Sequence, residues 1–140
     1  MRKIFFTSLL LGIILFACDT NKSDIKIESV AKIEVYNFYG KHRCVTCIEI
    51  EKIAKETIEK NFQKQVESKE VAFITVDMSE DKNQALIEKF EVTSSSLIIR
   101  ATIDGKEEIV DLTELGFMNA VDNPEVLEKK IIDVINSFLK

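Results

Sequence analysis

The chain has 140 residues, 46% of them hydrophobic and 31% charged, with one Pro, four Gly and no Trp. That size and composition fit one globular domain and exclude collagen-like, low-complexity and disordered classes. The net charge is −5, from 19 basic and 24 acidic residues, so the basic footprint of a nucleic-acid binder is missing, and a single His excludes zinc sites built on two or three histidines.

In chain order, the N-terminus comes first and stands apart. Met1, Arg2 and Lys3 make a basic start, and residues 4–17 are almost wholly apolar. Those 14 residues fall short of the roughly 20 that a spanning helix needs. A charged start, a short apolar core and a small residue at its end read as an export signal. Ala17 is followed by Cys18 and then by the polar run 19–24. A Cys at the end of an apolar core, preceded by Ala, resembles the bacterial lipoprotein signal. The resemblance implies that residues 1–17 are removed and that Cys18 carries a lipid on the periplasmic or extracellular side of a membrane. The alternatives are an ordinary cleaved signal and an uncut anchor. Several acyl chains, at about 0.8 kcal/mol per buried methylene, anchor a protein stably. Loss of Arg2 and Lys3 leaves 17 basic against 24 acidic residues, a net charge of −7. Residues 18–31 read as a polar tether and residues 32–140 as the folded, monomeric domain.

Ile33–Tyr39 (I-E-V-Y-N-F-Y) has the β-branched and aromatic content of a strand. Residues 40–43 form a turn. From Cys44 the apolar period becomes helical, with Cys47, Ile50, Ile53, Ala54, Ile58 and Phe62 on one stripe. Glu49, Glu51, Lys52, Lys55, Glu56 and Glu59 make the other face, which reads as solvated. The continuous apolar run 71–76 (V-A-F-I-T-V) is expected in the middle of a sheet. Residues 82–90 read as a second helix, with Ala85, Leu86 and Phe90 inward. Ser96–Ile103 is a third strand, Asp104-Gly105 a tight hairpin turn, and residues 106–112 the returning strand. Residues 113–122 read as a loop in which Phe117 and Met118 plug the core, with a partner patch as the alternative. Asn123 as N-cap and Pro124 at the first helical position open a last helix, with Leu127, Ile131, Val134, Ile135 and Phe138 on its apolar stripe. The order is β-α-β-α-β-β-α. Its first β-α-β is a right-handed parallel crossover, which predicts an α/β fold with a mixed four-stranded sheet and flanking helices.

Cys44-Val45-Thr46-Cys47 lies where the first strand hands over to the first helix. A C-x-x-C pair beside a β-α-β pattern is a redox signature. A helix N-terminus exposes unpaired N–H groups and about half a positive charge, which lowers a thiol pKa. Lys41, His42 and Arg43 add positive charge beside Cys44. Spacing of i, i+3 brings both sulfurs onto one face of the first turn. Cys44, nearer the exposed turn, takes the attacking role, and Cys47, on the inward stripe, takes the resolving role.

On these residues, 32–140 resemble the thioredoxin-like superfamily. Within it, Phe38-Tyr39-Gly40-x-x-Arg43-Cys44-x-Thr46-Cys47-x-x-Ile50-Glu51 is similar to small bacterial and archaeal proteins named nitrophenyl compound nitroreductase subunits, linked to aromatic arsenical resistance operons. The resemblance implies a dithiol that hands two electrons to a partner protein or a small-molecule substrate, with no cofactor beyond the redox-active disulfide. No flavin site is legible. Two departures from thioredoxin stand out. Asn37 matches the buried Asp of thioredoxin and cannot accept a proton. Ser96 falls where thioredoxin has a cis-Pro, and a trans bond is expected there because a non-Pro cis bond costs about 2.5–4 kcal/mol. A hydroxyl at Ser96 is placed to face the sulfurs.

Other readings stand beside this one. Cys44, Cys47 and His42 have the donor types of a copper(I) or zinc site. Ile48 in place of His after Cys47 disfavours haem attachment. A purely structural disulfide gains little, because bridging so short a segment removes little chain entropy. Arg43 reads as an electrostatic tuner or an anchor for an anionic substrate. The Asn37 and Ser96 departures also allow an inactive thioredoxin-like adaptor.

Overall fold

The structure is a computed structural model that describes residues 31–140. The expected signal segment 1–17, the expected lipid site Cys18 and the expected tether up to residue 30 lie outside the described residues. Ala31 is buried, and the Lys32 carbonyl accepts from the Thr102 N–H at 2.9 Å. The elements are β1 (Ile33–Tyr39), α1 (Val45–Asn61), α2 (Gln63–Glu67), β2 (Val71–Asp77), α3 (Gln84–Lys89), β3 (Ser96–Ile103), β4 (Lys106–Asp111), α4 (Thr113–Asn119) and α5 (Pro124–Phe138), with a 3-10 turn over Asp81–Asn83 leading into α3. The sheet order is β2-β1-β3-β4. Strands β1 and β2 are parallel, and the other two pairings are antiparallel. This is the mixed four-stranded α/β arrangement expected from the sequence.

Strand alternation divides the core in two. Ile33 and Val35 of β1 point to one face and join Ile99, Ala101, Ile58, Leu127, Ile131 and Ile135 under α1 and α5. Tyr36 and Phe38 point to the other face and meet Val76, Val92 and Ile98, with α3 residues packed against them. Phe90 closes this second cluster, its ring 5.0 Å from Tyr36 and 5.7 Å from Phe38.

Beside that aromatic cluster the second face is polar. Glu34 is buried and accepts from the Tyr36 hydroxyl at 2.8 Å and from Arg100. Arg100 also donates to Glu107, which receives Lys89 at 2.7 Å. Burial works against the Arg100 charge, but the hydrogen bonds to Glu107 and Glu34 outweigh it and leave its pKa raised. Burial pushes the Tyr36 phenol up, and the Glu34 hydrogen bond adds to that.

Four expectations need correction. β2 lies at a sheet edge, not in the middle. It is apolar on both sides because Phe73 packs against the first core and Ile74 against the second. Residues 113–122 are not a loop: Thr113–Asn119 is helical. Phe117 and Met118 of that helix are exposed rather than core plugs. Asn123 holds the N-cap position, but its side chain makes no capping bond, and Pro124 alone marks the start of α5. The short α2, which exposes its one apolar residue Val66 and buries no side chain, has no apolar stripe to announce it.

Candidate active site

Cys44 is the N-cap residue of α1, with extended backbone, and its Sγ accepts the Cys47 N–H at 3.2 Å. That bond occupies one of the orphan donors at the helix start. Cys44 and Cys47 are joined as a disulfide with their Cα atoms 5.2 Å apart. Cys44 is exposed, whereas Cys47 is 8% exposed. The two cysteines are therefore unequal: Cys44 is an exposed residue and Cys47 a buried one.

Cys47 borders a small cavity lined also by Asn37, Ile50, Ser95, Ser96, Leu97 and Phe117. Ile50 is fixed from behind by Gly116 of α4. A Cβ on Gly116 would lie 3.0 Å from Ile50 Cδ1, so the close approach of α4 to α1 depends on that glycine. Ser96 pairs with Phe38 at the start of β3 and reaches the same cavity. Its hydroxyl, however, donates to the Ser94 carbonyl at 2.9 Å, a local turn bond, rather than to a sulfur. No cis peptide bond occurs among the described residues, as expected at Ser96.

The basic turn divides. Lys41 and His42 are exposed. Lys41 is near enough to help hold the Asp77 carboxyl below its usual value, an effect that the Ser79 hydrogen bonds dominate. Arg43 turns back. Its guanidinium carbon sits 4.6 Å from the centre of the Tyr39 ring, and its Nη2 donates to Glu51 Oε2. Asn37 Nδ2 donates to the same Glu51 oxygen at 2.9 Å. Glu51 is thus not the solvated helix carboxylate that its place on the wheel suggests. It ties β1, the turn and α1 together. The signal was present in Asn37, a polar residue inside an apolar strand, because a buried amide needs a partner.

His42 is not gathered with the cysteines. Among the described residues no three His, Cys, Asp or Glu side chains lie close enough to hold a metal ion. Apolar side chains are exposed next to the pair in sequence, Val45 at 72% after Cys44 and Ile48 after Cys47, and Phe117 of the Cys47 cavity is also open, as are Met118 and Val121 near the α4–α5 corner. Val45 and Val121 line one groove of about 500 Å³ between α1 and the α4–α5 corner.

No family model matches the chain, and no curated protein matches it. Solved structures with some similarity include a malarial protein, 18% identical over 62% of this chain and 93% of that one, with a TM-score of 0.39. Another is a thioredoxin from Thermus thermophilus, 15% identical over 71% of this chain and 73% of that one, with a TM-score of 0.43.

Proposed function

We propose that residues 32–140 form a thiol–disulfide oxidoreductase domain that exchanges two electrons with a partner through Cys44 and Cys47. The observation that carries this is the placement of the pair: an exposed cysteine capping α1, bridged to a buried cysteine in the first turn. In the reducing direction the Cys44 thiolate attacks a partner disulfide, forming a mixed disulfide and releasing one partner thiolate. Cys47 then loses its proton, attacks Cys44 Sγ and releases the second partner thiolate. Two electrons leave the protein, and a dithiol reductant must restore them. The oxidising direction is the reverse.

The exposed apolar residues near the pair favour a partner protein over a small molecule, because Val45, Val121 in the groove beside it and Phe117 at the Cys47 cavity would be covered on docking. The N-terminal sequence supports export and a lipid tether at Cys18. The R-C-x-T-C sequence supports service as one subunit of a reductase for nitro or arsenical compounds, in which this chain supplies the dithiol and another subunit the substrate site.

The test is a Cys47→Ser trap. Cys44 should then accumulate a stable mixed disulfide with its partner in cells, and Cys44→Ser should abolish it. A normal phenotype for the double Cys→Ser variant would overturn the reading in favour of an inactive adaptor. Stoichiometric copper(I) or zinc binding by the reduced protein, weakened by His42→Ala, would favour the metal reading instead.

A further inference from the structure

We propose that Glu51 is a positioning residue that sets the redox balance of the dithiol by cancelling the charge of Arg43. This rests on the thiol–disulfide reading above. Glu51 lies one turn beyond Cys47 on α1, the i, i+4 relation that places two side chains on one helix face. Its Oε2 holds both Asn37 Nδ2 and the Arg43 guanidinium. Arg43 is the residue directly before Cys44. Asn37 is also a wall of the cavity that Cys47 borders. The three side chains thus form a clamp that links the residue before Cys44 to the wall of the Cys47 cavity.

The charges decide what the clamp does. The Arg43 and Glu51 side chains are 28% and 24% exposed, so solvent screens them only in part. Taken alone, Arg43 would stabilise a thiolate on Cys44, as a neighbouring cation does. Paired with Glu51, it presents little net charge. Cys44 is left mainly with the N–H groups at the start of α1, one of which it already accepts. Lys41, the other lysine-or-arginine side chain of the turn, is exposed, where solvent screens its charge. His42 is exposed. The basic turn therefore gives Cys44 less positive field than its composition implies, and the carboxylate that withholds it is Glu51.

The sign follows from the half-reaction. The disulfide takes up two electrons and two protons to give two thiols, or one proton fewer when Cys44 stays a thiolate. Whatever stabilises that thiolate stabilises the reduced form and makes the disulfide more oxidising. Glu51→Gln keeps an oxygen for Asn37 and Arg43 but removes the negative charge. Arg43→Gln leaves the negative charge alone. The two variants are expected to act in opposite directions, and the double variant to return near the parent. A clamp with a purely structural role would weaken folding in both single variants without that reversal of sign.

The experiment equilibrates the folded protein with thiol–disulfide buffers near neutral pH and measures the rate of Cys44 alkylation against pH in the reduced protein. Glu51→Gln should shift the equilibrium about tenfold toward the dithiol, about 30 mV for a two-electron couple, and lower the pH at which alkylation becomes fast. Arg43→Gln should shift both by a similar amount the other way. The Arg43→Gln, Glu51→Gln double variant should lie within about threefold of the parent, by the logic of a double-mutant cycle. Shifts of the same sign in the two single variants, or shifts below about twofold in both, overturn the proposal. If Glu51→Gln does not fold, the Arg43→Gln variant decides by its direction. A parent protein with no reversible couple overturns the thiol–disulfide reading instead, and the alkylation profile then still tests the charge relation.

Discussion

Two arginine–glutamate clusters lie on opposite faces of the sheet and are built differently. On the α3 face, Arg100 is 12% exposed and shares its guanidinium between Glu34 and Glu107, with Lys89 and the Tyr36 hydroxyl completing the set. On the α1 face, Arg43 is 28% exposed, pairs with Glu51 through one nitrogen, and has a buried Nε with no partner. The first cluster crosses four elements of the fold, β1, α3, β3 and β4, and leaves little unsatisfied. The second sits at the rim beside Cys44 and is only partly satisfied. The contrast teaches that the same pair of residue types serves cohesion where its hydrogen bonds are complete. Where they are incomplete and the pair lies beside the disulfide, we propose that it sets charge.

Breaking the cohesive cluster should have the largest effect. Arg100→Ala leaves Glu34 buried without its cation, and losing one partner of a buried pair costs about 3–5 kcal/mol. Urea denaturation should show that loss, while Cys44 alkylation in the folded protein stays as in the parent. A changed thiol reactivity in Arg100→Ala would collapse the distinction between the two clusters. Gly116→Val comes next and acts from the other side. Its branched side chain would drive into Ile50, an overpacking of about 1–3 kcal/mol, and disturb the cavity at Cys47. Both stability and thiol reactivity should therefore change.

The acid limb sharpens the comparison further. The Lys89 hydrogen bond, with Arg100 adding to it, holds the Glu107 carboxyl below its ordinary value. A carboxyl lowered in the folded state contributes stability above its unfolded value, about 4.3, and loses it as pH falls through the folded value. Thermal melts should fall as pH drops through that window, and Glu107→Gln should flatten the fall. The smallest effect is expected away from both clusters. Glu91 has a left-handed backbone, φ 52°, just beyond α3. Glu91→Gly relieves a Cβ clash and should raise stability by about 0.5 kcal/mol, less than the full left-handed penalty because glycine also frees the unfolded chain. Differential scanning calorimetry checks it, and the redox equilibrium should not move.

Much of this architecture was legible in the residues. β1 and β3 announce themselves through β-branched and aromatic runs, the hairpin through Asp104-Gly105, and α5 through Pro124. The C-x-x-C pair is where the chain order places it. What stayed hidden depends on tertiary contact. α4 is seven residues long and contains Gly116, a poor helix former, and it forms because that glycine seats against Ile50. The edge position of β2 is invisible in an apolar run, since two covered faces and a central place give the same pattern. Glu51 was misplaced because a helical wheel shows α1 alone. Its partners come from β1 and from the turn, and only the buried amide of Asn37 hinted that a polar group must come to meet it.

The Cys44 sulfur that caps α1 has one more consequence. In the bridged state it is a neutral sulfur accepting the Cys47 N–H. As a thiolate it becomes a charged acceptor at the same helix end, and charged acceptors bind an N–H about twice as strongly. The covalent link and the cap therefore trade places: when electrons arrive, the bridge opens and the hydrogen bond tightens. The first turn of α1 is spared a loss of order on reduction, and protection of the Cys47 amide from exchange becomes a backbone record of the oxidation state.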